Sequence, residues 1–182
     1  EGPAGVPATA DGLRDRCVRT LTTLVTAGHR LPPASPDYWE LPVDRTSLGT
    51  VAPMVAGLAA AADDYRATDQ TTQAVATGLL ASRLSQVVTR TFGPDYERFR
   101  SRGGVDAAVA MLLPPFQRSP GSQQADGAVR RAWLHYQRAA LQPAGGLAPG
   151  VDWAAGDGAS WTPETALVAL TAASTGQDDT AR

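Results

Sequence analysis

The sequence predicts an all-α fold, on three observations. Six stretches repeat apolar residues at helical spacing. No stretch alternates apolar and polar residues with the period of two that marks a half-buried strand. The connections also differ in length in a regular way, long after the first, third and fifth helical stretches and shorter after the second and fourth.

The first helix is expected over residues 11–27, with Leu13, Cys17, Leu21 and Leu24 as its apolar stripe and Gly28 at the C-terminal cap. Cys17, placed in that stripe, reads as a small buried residue. The second helix is expected over 48–67, with Val51, Val55, Leu58, Ala62 and Tyr65 on one face. Pro53 places the start of regular helix near Ala52, so that the proline falls in the first turn. The helix is rich in Ala and Gly, which lets neighbours approach closely and suits an inner position. Asp69 is the expected cap of the third helix, 70–92, in which Val75, Leu79, Leu84, Val87 and Val88 face inward and Arg83, Gln86 and Arg90 face water.

A short apolar helix over 105–113 is stopped by Pro114-Pro115. The fifth, 124–141, carries Val129, Trp133, Tyr136 and Ala140 on its face. The sixth opens at Thr162-Pro163-Glu164, read as N-cap, first-turn proline and an acid against the helix dipole, and runs to Ser174. Residues 1–10, rich in Gly, Pro and Ala, read as a disordered N-terminal segment and 177–182 as a tail, leaving 11–176 as the folded domain.

If successive helices are antiparallel, the long connections all fall at one end. Helices two, four and six, small and apolar, form an inner layer, and helices one, three and five, richer in Arg and Gln, an outer one. Three such hairpins curved into an arc make half of a closed ring. Trp39, Trp153 and Trp161 then lie near its mouth, and Trp133 is a core residue.

The first long connection holds Ser35-Pro36-Asp37-Tyr38-Trp39-Glu40-Leu41-Pro42. Compact domains seldom keep long connections without a use. Pro32, Pro33, Pro36 and Pro42 stiffen it and keep it out of both helices. A stiff loop holding carboxyls beside indole and phenol rings suits sugar chemistry: rings stack on the apolar face of a pyranose, and an apolar setting lets a nearby carboxyl stay protonated and act as an acid.

Other chemistries find less support. A net charge of -2 makes neither nucleic acid nor an anionic membrane an obvious partner. The basic residues are all Arg, and with high Ala and Gly this reads as a coding bias. His29 and His135 lie far apart with no Cys or acid at ligand spacing, so no metal is expected, and the glycine-rich stretches lack the strand before them and the Lys after them that a nucleotide cofactor requires. Two isolated histidines also build no Ser-His-Asp or Cys-His arrangement. No membrane span or signal peptide is visible, and a single cysteine marks no redox compartment. A secreted or extracytoplasmic setting is only slightly favoured. A chain that starts at Glu1 and stops abruptly after Gln177-Asp178-Asp179 is expected to be a piece of a longer protein.

Asp37-Tyr38-Trp39-Glu40, followed by Thr46-Ser47-Leu48-Gly49-Thr50 and an Ala-rich helix, resembles the general-acid segment of glycoside hydrolase family 15, the glucoamylases, glucodextranases and some trehalases. Gly104-Val105-Asp106-Ala107-Ala108 through Leu112-Leu113-Pro114 is similar to that family's apolar run ending in proline, and Trp161-Thr162-Pro163 to its later Trp-Pro segment, in the same order. The resemblance spans residues 13–176. It implies about half of an (α/α)6 toroid and an inverting hydrolysis of α-glucosidic bonds. One carboxyl would protonate the leaving oxygen and another, across a gap of about 6.5–9.5 Å, would activate water. By resemblance Glu40 is the general acid, Trp39 a wall of the sugar subsite, Asp37 a hydrogen-bond partner there with Tyr38 beside it, and Trp161 a further wall. The family's general base lies downstream of the Trp-Pro helix. Of the carboxyls near the expected mouth, Glu164 reads as a helix-start acid, Asp106 as a cap, and Asp152 and Asp157 as solvated loop residues. This chain alone is therefore expected to be inactive, with a carbohydrate as partner and an apolar flank open to association.

Two other readings compete. A non-catalytic carbohydrate-binding toroid is motivated by Leu41, which stands where some family members carry a second acid, and by the missing base. A helical interaction scaffold predicts Trp39 and Trp161 buried far apart.

Overall fold

The computed structural model of the chain describes residues 9–27, 31–37, 39, 42–117, 123–153 and 158–177. Among these the chain forms α1 (Ala10–Ala27), α2 (Leu48–Ala67), α3 (Thr71–Phe92), a 3-10 helix (Ala107–Leu112), α4 (Gln123–Ala139) and α5 (Thr162–Ser174). Among the described residues it shows isolated bridges and no strand, so the fold is all-α. Ala10, expected in the N-terminal segment, is already helical. Gly28 and residues 1–8 and 178–182 lie outside the described residues.

α2 is the most deeply set long helix. Val51, Leu58 and Leu48 have no exposed surface, and Val55, Ala62 and Tyr65 are buried beside them. The helix begins at Leu48, earlier than Pro53 led us to expect, because Ser47 caps it: the Thr50 amide donates to Ser47 Oγ at 3.1 Å. Pro53 sits inside the helix. At the other end the amides of Asp69 and Gln70 donate back to the carbonyls of Arg66 and Tyr65. That pairing requires a left-handed residue, and Asp69 supplies it at φ 58°. Asp69 thus ends α2 and does not cap α3, whose N-cap is Gln70 without a side-chain bond.

α3 turns a different face inward from the one its large residues predict. Ala74, Thr77, Ala81, Leu84, Val88 and Phe92 are buried, while Val75 and Leu79 are 58% and 54% exposed. Small residues decide the rotation. Ala74 packs with Ala61 and Tyr65 of α2, and a Cβ on Gly78 would stand 3.7 Å from that of Ala62. Close approach of two backbones outweighs burial of two larger side chains on a neighbouring row.

α1 also deviates. Leu13 is 55% exposed and Cys17 is exposed, not buried. The helix is held instead by Arg14, which pairs with Asp11, Asp15 and Asp64 and stacks 4.1 Å over the Tyr65 ring, and by the Tyr65 hydroxyl, which donates to Asp15 at 2.7 Å. Leu21, Leu24 and Val25 pack against the main core only in part.

The 3-10 helix is the centre, packing on α2, α4 and α5. Ala107, Ala108, Val109 and Ala110 have no exposed surface. The stretch is too short to gain from α-helical propagation. Its ends are set from outside, Asp106 by a bridge to Gly150 and Leu113 by the prolines that follow. On α4, Val129, Trp133 and Tyr136, with Ala140 just past its end, all without exposed surface, complete the core. α5 opens one residue earlier in the capping frame than expected: Trp161 is the N-cap, without a side-chain cap bond, and Thr162 is already helical. Only Val168, Thr171 and Ala172 of α5 are buried, and Leu170 is 47% exposed.

The Tyr136 hydroxyl donates to the Ala148 carbonyl at 2.7 Å, tying α4 to the third long connection. Burial, with the carboxylates of Glu164 and Asp106 nearby, pushes its phenol far above the usual value. A raised pKa contributes stability that is complete below the unfolded value, about pH 10, and is lost as pH rises above it, by about 1.4 kcal/mol per pH unit for this group. Tyr65 and Tyr96, also raised by burial, add to the same limb. Denaturant titrations at pH 7 and pH 11 should show a steep alkaline loss. Tyr136→Phe should flatten that loss in part, at a cost of about 1–2 kcal/mol at pH 7 from the orphaned Ala148 carbonyl.

Candidate functional site

The first two of the three long connections meet through one buried carboxylate. Asp37 has no exposed side-chain surface. It accepts from Ser47 Oγ at 2.7 Å and from the Trp39 amide at 3.1 Å, and its two oxygens lie 3.2 and 3.4 Å from Arg98 Nη2. Ser47 is also the cap of α2, so one hydroxyl joins the first connection to the helix that follows it. Thr46 Oγ1 adds a second strap, donating to the Pro32 carbonyl at 2.6 Å. Arg98, in the second connection, is held by its backbone as well: the Leu48 amide donates to its carbonyl at 2.8 Å, and its own amide donates to the Gly104 carbonyl at 2.7 Å.

The third connection joins by backbone pairing. Asp106 bridges Gly150, the Ala107 amide donates to Pro149 O at 2.9 Å, and the Val151 amide donates to Val105 O at 3.1 Å. The close approach depends on glycine. A Cβ on Gly150 would lie 2.9 Å from the Asp106 Cβ and 3.1 Å from the Trp39 ring. Gly104, at φ +59°, leaves room for Val151, whose Cγ2 would be 2.0 Å from any added Cβ.

On this frame the rings form a series. The Arg98 guanidinium lies 4.5 Å over the Trp39 ring and 5.1 Å from that of Phe99. Trp39 meets Trp153 with centroids 4.8 Å apart at 63°, and Trp153 meets Trp161 at 6.0 Å and 88°. These are the edge-to-face geometries that the ring quadrupole favours. Trp161 is anchored through its amide, which donates to Leu147 O at 2.8 Å, and through its carbonyl, which accepts from Thr165 Oγ1 at 2.7 Å. Trp153 and Trp161 remain 37% and 40% exposed, while Trp39 is half-buried.

Of the residues selected from the sequence, Asp37, Trp39 and Trp161 come together on this face. The wide separation that a plain scaffold predicts for Trp39 and Trp161 is not what is found. Tyr38 and Glu40 lie outside the described residues. Asp106 caps the 3-10 helix, accepting from the Ala108 amide at 2.8 Å. Glu164 stands in the first turn of α5, and Asp152 is exposed. Sequence reasoning did not select Arg98 or Gly150. It placed Trp153 near the mouth but gave it no role, although a tryptophan in a glycine-rich connection was the available signal.

The result is an all-α protein whose three long connections converge on a partly exposed tryptophan face. No known family model, curated protein or solved structure matches the chain. No helix among the described residues is long and apolar enough to cross a membrane.

Asp37→Asn should lower stability by about 3 kcal/mol in urea titrations, because it leaves a mostly buried guanidinium without its counter-charge. Gly150→Ala should cost about 1–3 kcal/mol by the same measurement and displace the Trp39 ring, changing the near-ultraviolet circular dichroism.

Proposed function

We propose that this face is a carbohydrate site and that the protein is a glycoside hydrolase of the glucoamylase type, built as part of an (α/α)6 toroid. The observation that carries the reading is the run Trp39–Trp153–Trp161, gathered where the three long connections meet and open to solvent at two of its rings. Flat apolar rings at a loop-lined rim suit the hydrophobic face of a pyranose. The packing of the 3-10 helix against α2 and α5 also fits an inner layer of an arc of hairpins.

In this reading Glu40 protonates the departing glycosidic oxygen. It directly follows Trp39 in the chain, and Trp39 is held by Arg98 and Asp37. Asp37 serves the site from beneath, since Arg98, Ser47 and the Trp39 amide occupy its oxygens. Inversion then requires a second carboxylate that activates water from the opposite side of the sugar. The family resemblance puts that group C-terminal to α5.

The test is glucose release from α-glucosides by the complete protein and its Glu40→Gln variant. Loss of a general acid should lower kcat by about 100-fold or more while the substrate still binds. Turnover at the wild-type rate would remove Glu40 from the acid role. Glucoside binding without cleavage by the wild-type protein would make it a carbohydrate-binding module.

A further inference from the structure

We propose that Arg98 is a positioning residue for the sugar face, and that the ring it positions for contact with an α-glucoside is Trp153, acting through Trp39. The proposal rests on the carbohydrate reading for its ligand but not for its geometry. Trp39, the ring that sequence reasoning chose as the wall, is the foundation of the face. The Arg98 guanidinium covers its ring, Gly150 abuts its edge, and Trp153 lies across it. Trp153 and Trp161 are the rings with more than a third of their surface open.

The Trp153 amide donates to Gly150 O at 3.1 Å, and among the described residues its ring meets the Trp39 ring on one side and the Trp161 ring on the other. Its orientation is therefore coupled to that of Trp39, whose ring the Arg98 guanidinium covers. The guanidinium plane is defined from both ends. Nη2 faces Asp37, and the guanidinium lies near both the Trp39 and Phe99 rings. Arg98 Nε is buried and has no hydrogen-bond partner among the described residues, where stacking and the ion pair with Asp37 hold the plane. Only a planar cation can do both. Lys would retain the charge facing Asp37 but present no plane to the indole.

Three forms of the complete protein test this: wild type, Arg98→Lys and Trp153→Ala. Each is read by thermal unfolding, by near-ultraviolet circular dichroism without ligand, and by maltose titration with glycerol as control. Arg98→Lys should unfold within a few degrees of wild type, lose the dichroic signal of the Trp39–Trp153 pair, and bind maltose several-fold more weakly. Trp153→Ala should lose the same signal and raise the Kd for maltose about tenfold, with little change in unfolding temperature. An Arg98→Lys protein with the wild-type spectrum overturns the positioning role. Wild-type maltose affinity in Trp153→Ala overturns the role of that ring. If the wild-type protein ignores maltose, the carbohydrate reading and the role of Trp153 in it fail together, and the ligand-free spectrum of Arg98→Lys still decides what Arg98 does.

Discussion

The ion pair between Asp37 and Arg98 is the contact on which the loop face depends. Desolvating two charges is costly, and a buried pair seldom adds much stability over an apolar replacement. Its use here is geometric. Asp37 carries donors from its own connection, from the cap of α2 and from the second connection. Arg98 returns a backbone acceptor to Leu48, the first residue of α2. Two irregular segments are thereby registered against one helix terminus, which itself sits in the core.

Rigidity is passed outward by contacts of decreasing burial. The Asp37 side chain is fully enclosed, the Arg98 side chain is 12% exposed, Trp39 is half-buried, and Trp153 and Trp161 reach solvent. Beneath them lies the 3-10 helix, whose alanines let α2, α4 and α5 crowd around six residues. Binding faces on loops are precise only when packed elements hold the loops in place. Here the holding elements are the α2 terminus, the Asp106–Gly150 bridge, and the links from Tyr136 and Thr165 to the third connection.

Helix existence and extent were legible because period and punctuation agree: Ser47 before α2, Pro114-Pro115 after the 3-10 helix, Pro163 at the start of α5. Helix rotation was less so. Periodicity marks a stripe, but it does not say which neighbour arrives or how close it comes. In α3 the small row Ala74, Thr77 and Ala81 took the inner place from Val75 and Leu79. In α1, Arg14 did so by pairing with Asp64 and stacking on Tyr65, and Leu13 and Cys17 were left outside. Asp69 shows the same limit at a terminus: its side chain suits a cap, but its backbone was needed in the left-handed region to end α2.

By itself the amino-acid sequence determined the helical class, the span of each helix and the order of long and short connections, since these rest on local periodicity and on residues that start or stop a helix. Only the tertiary structure decided that Arg98 would cover the Trp39 ring, that Trp153 would bridge Trp39 and Trp161, and that Gly150 would admit the Trp39 ring edge. The decisive ones, Trp39 with Arg98, with Gly150 and with Trp153, join residues tens of positions apart. They are set by the excluded volume and charge of whatever packing brings together, which no local pattern encodes.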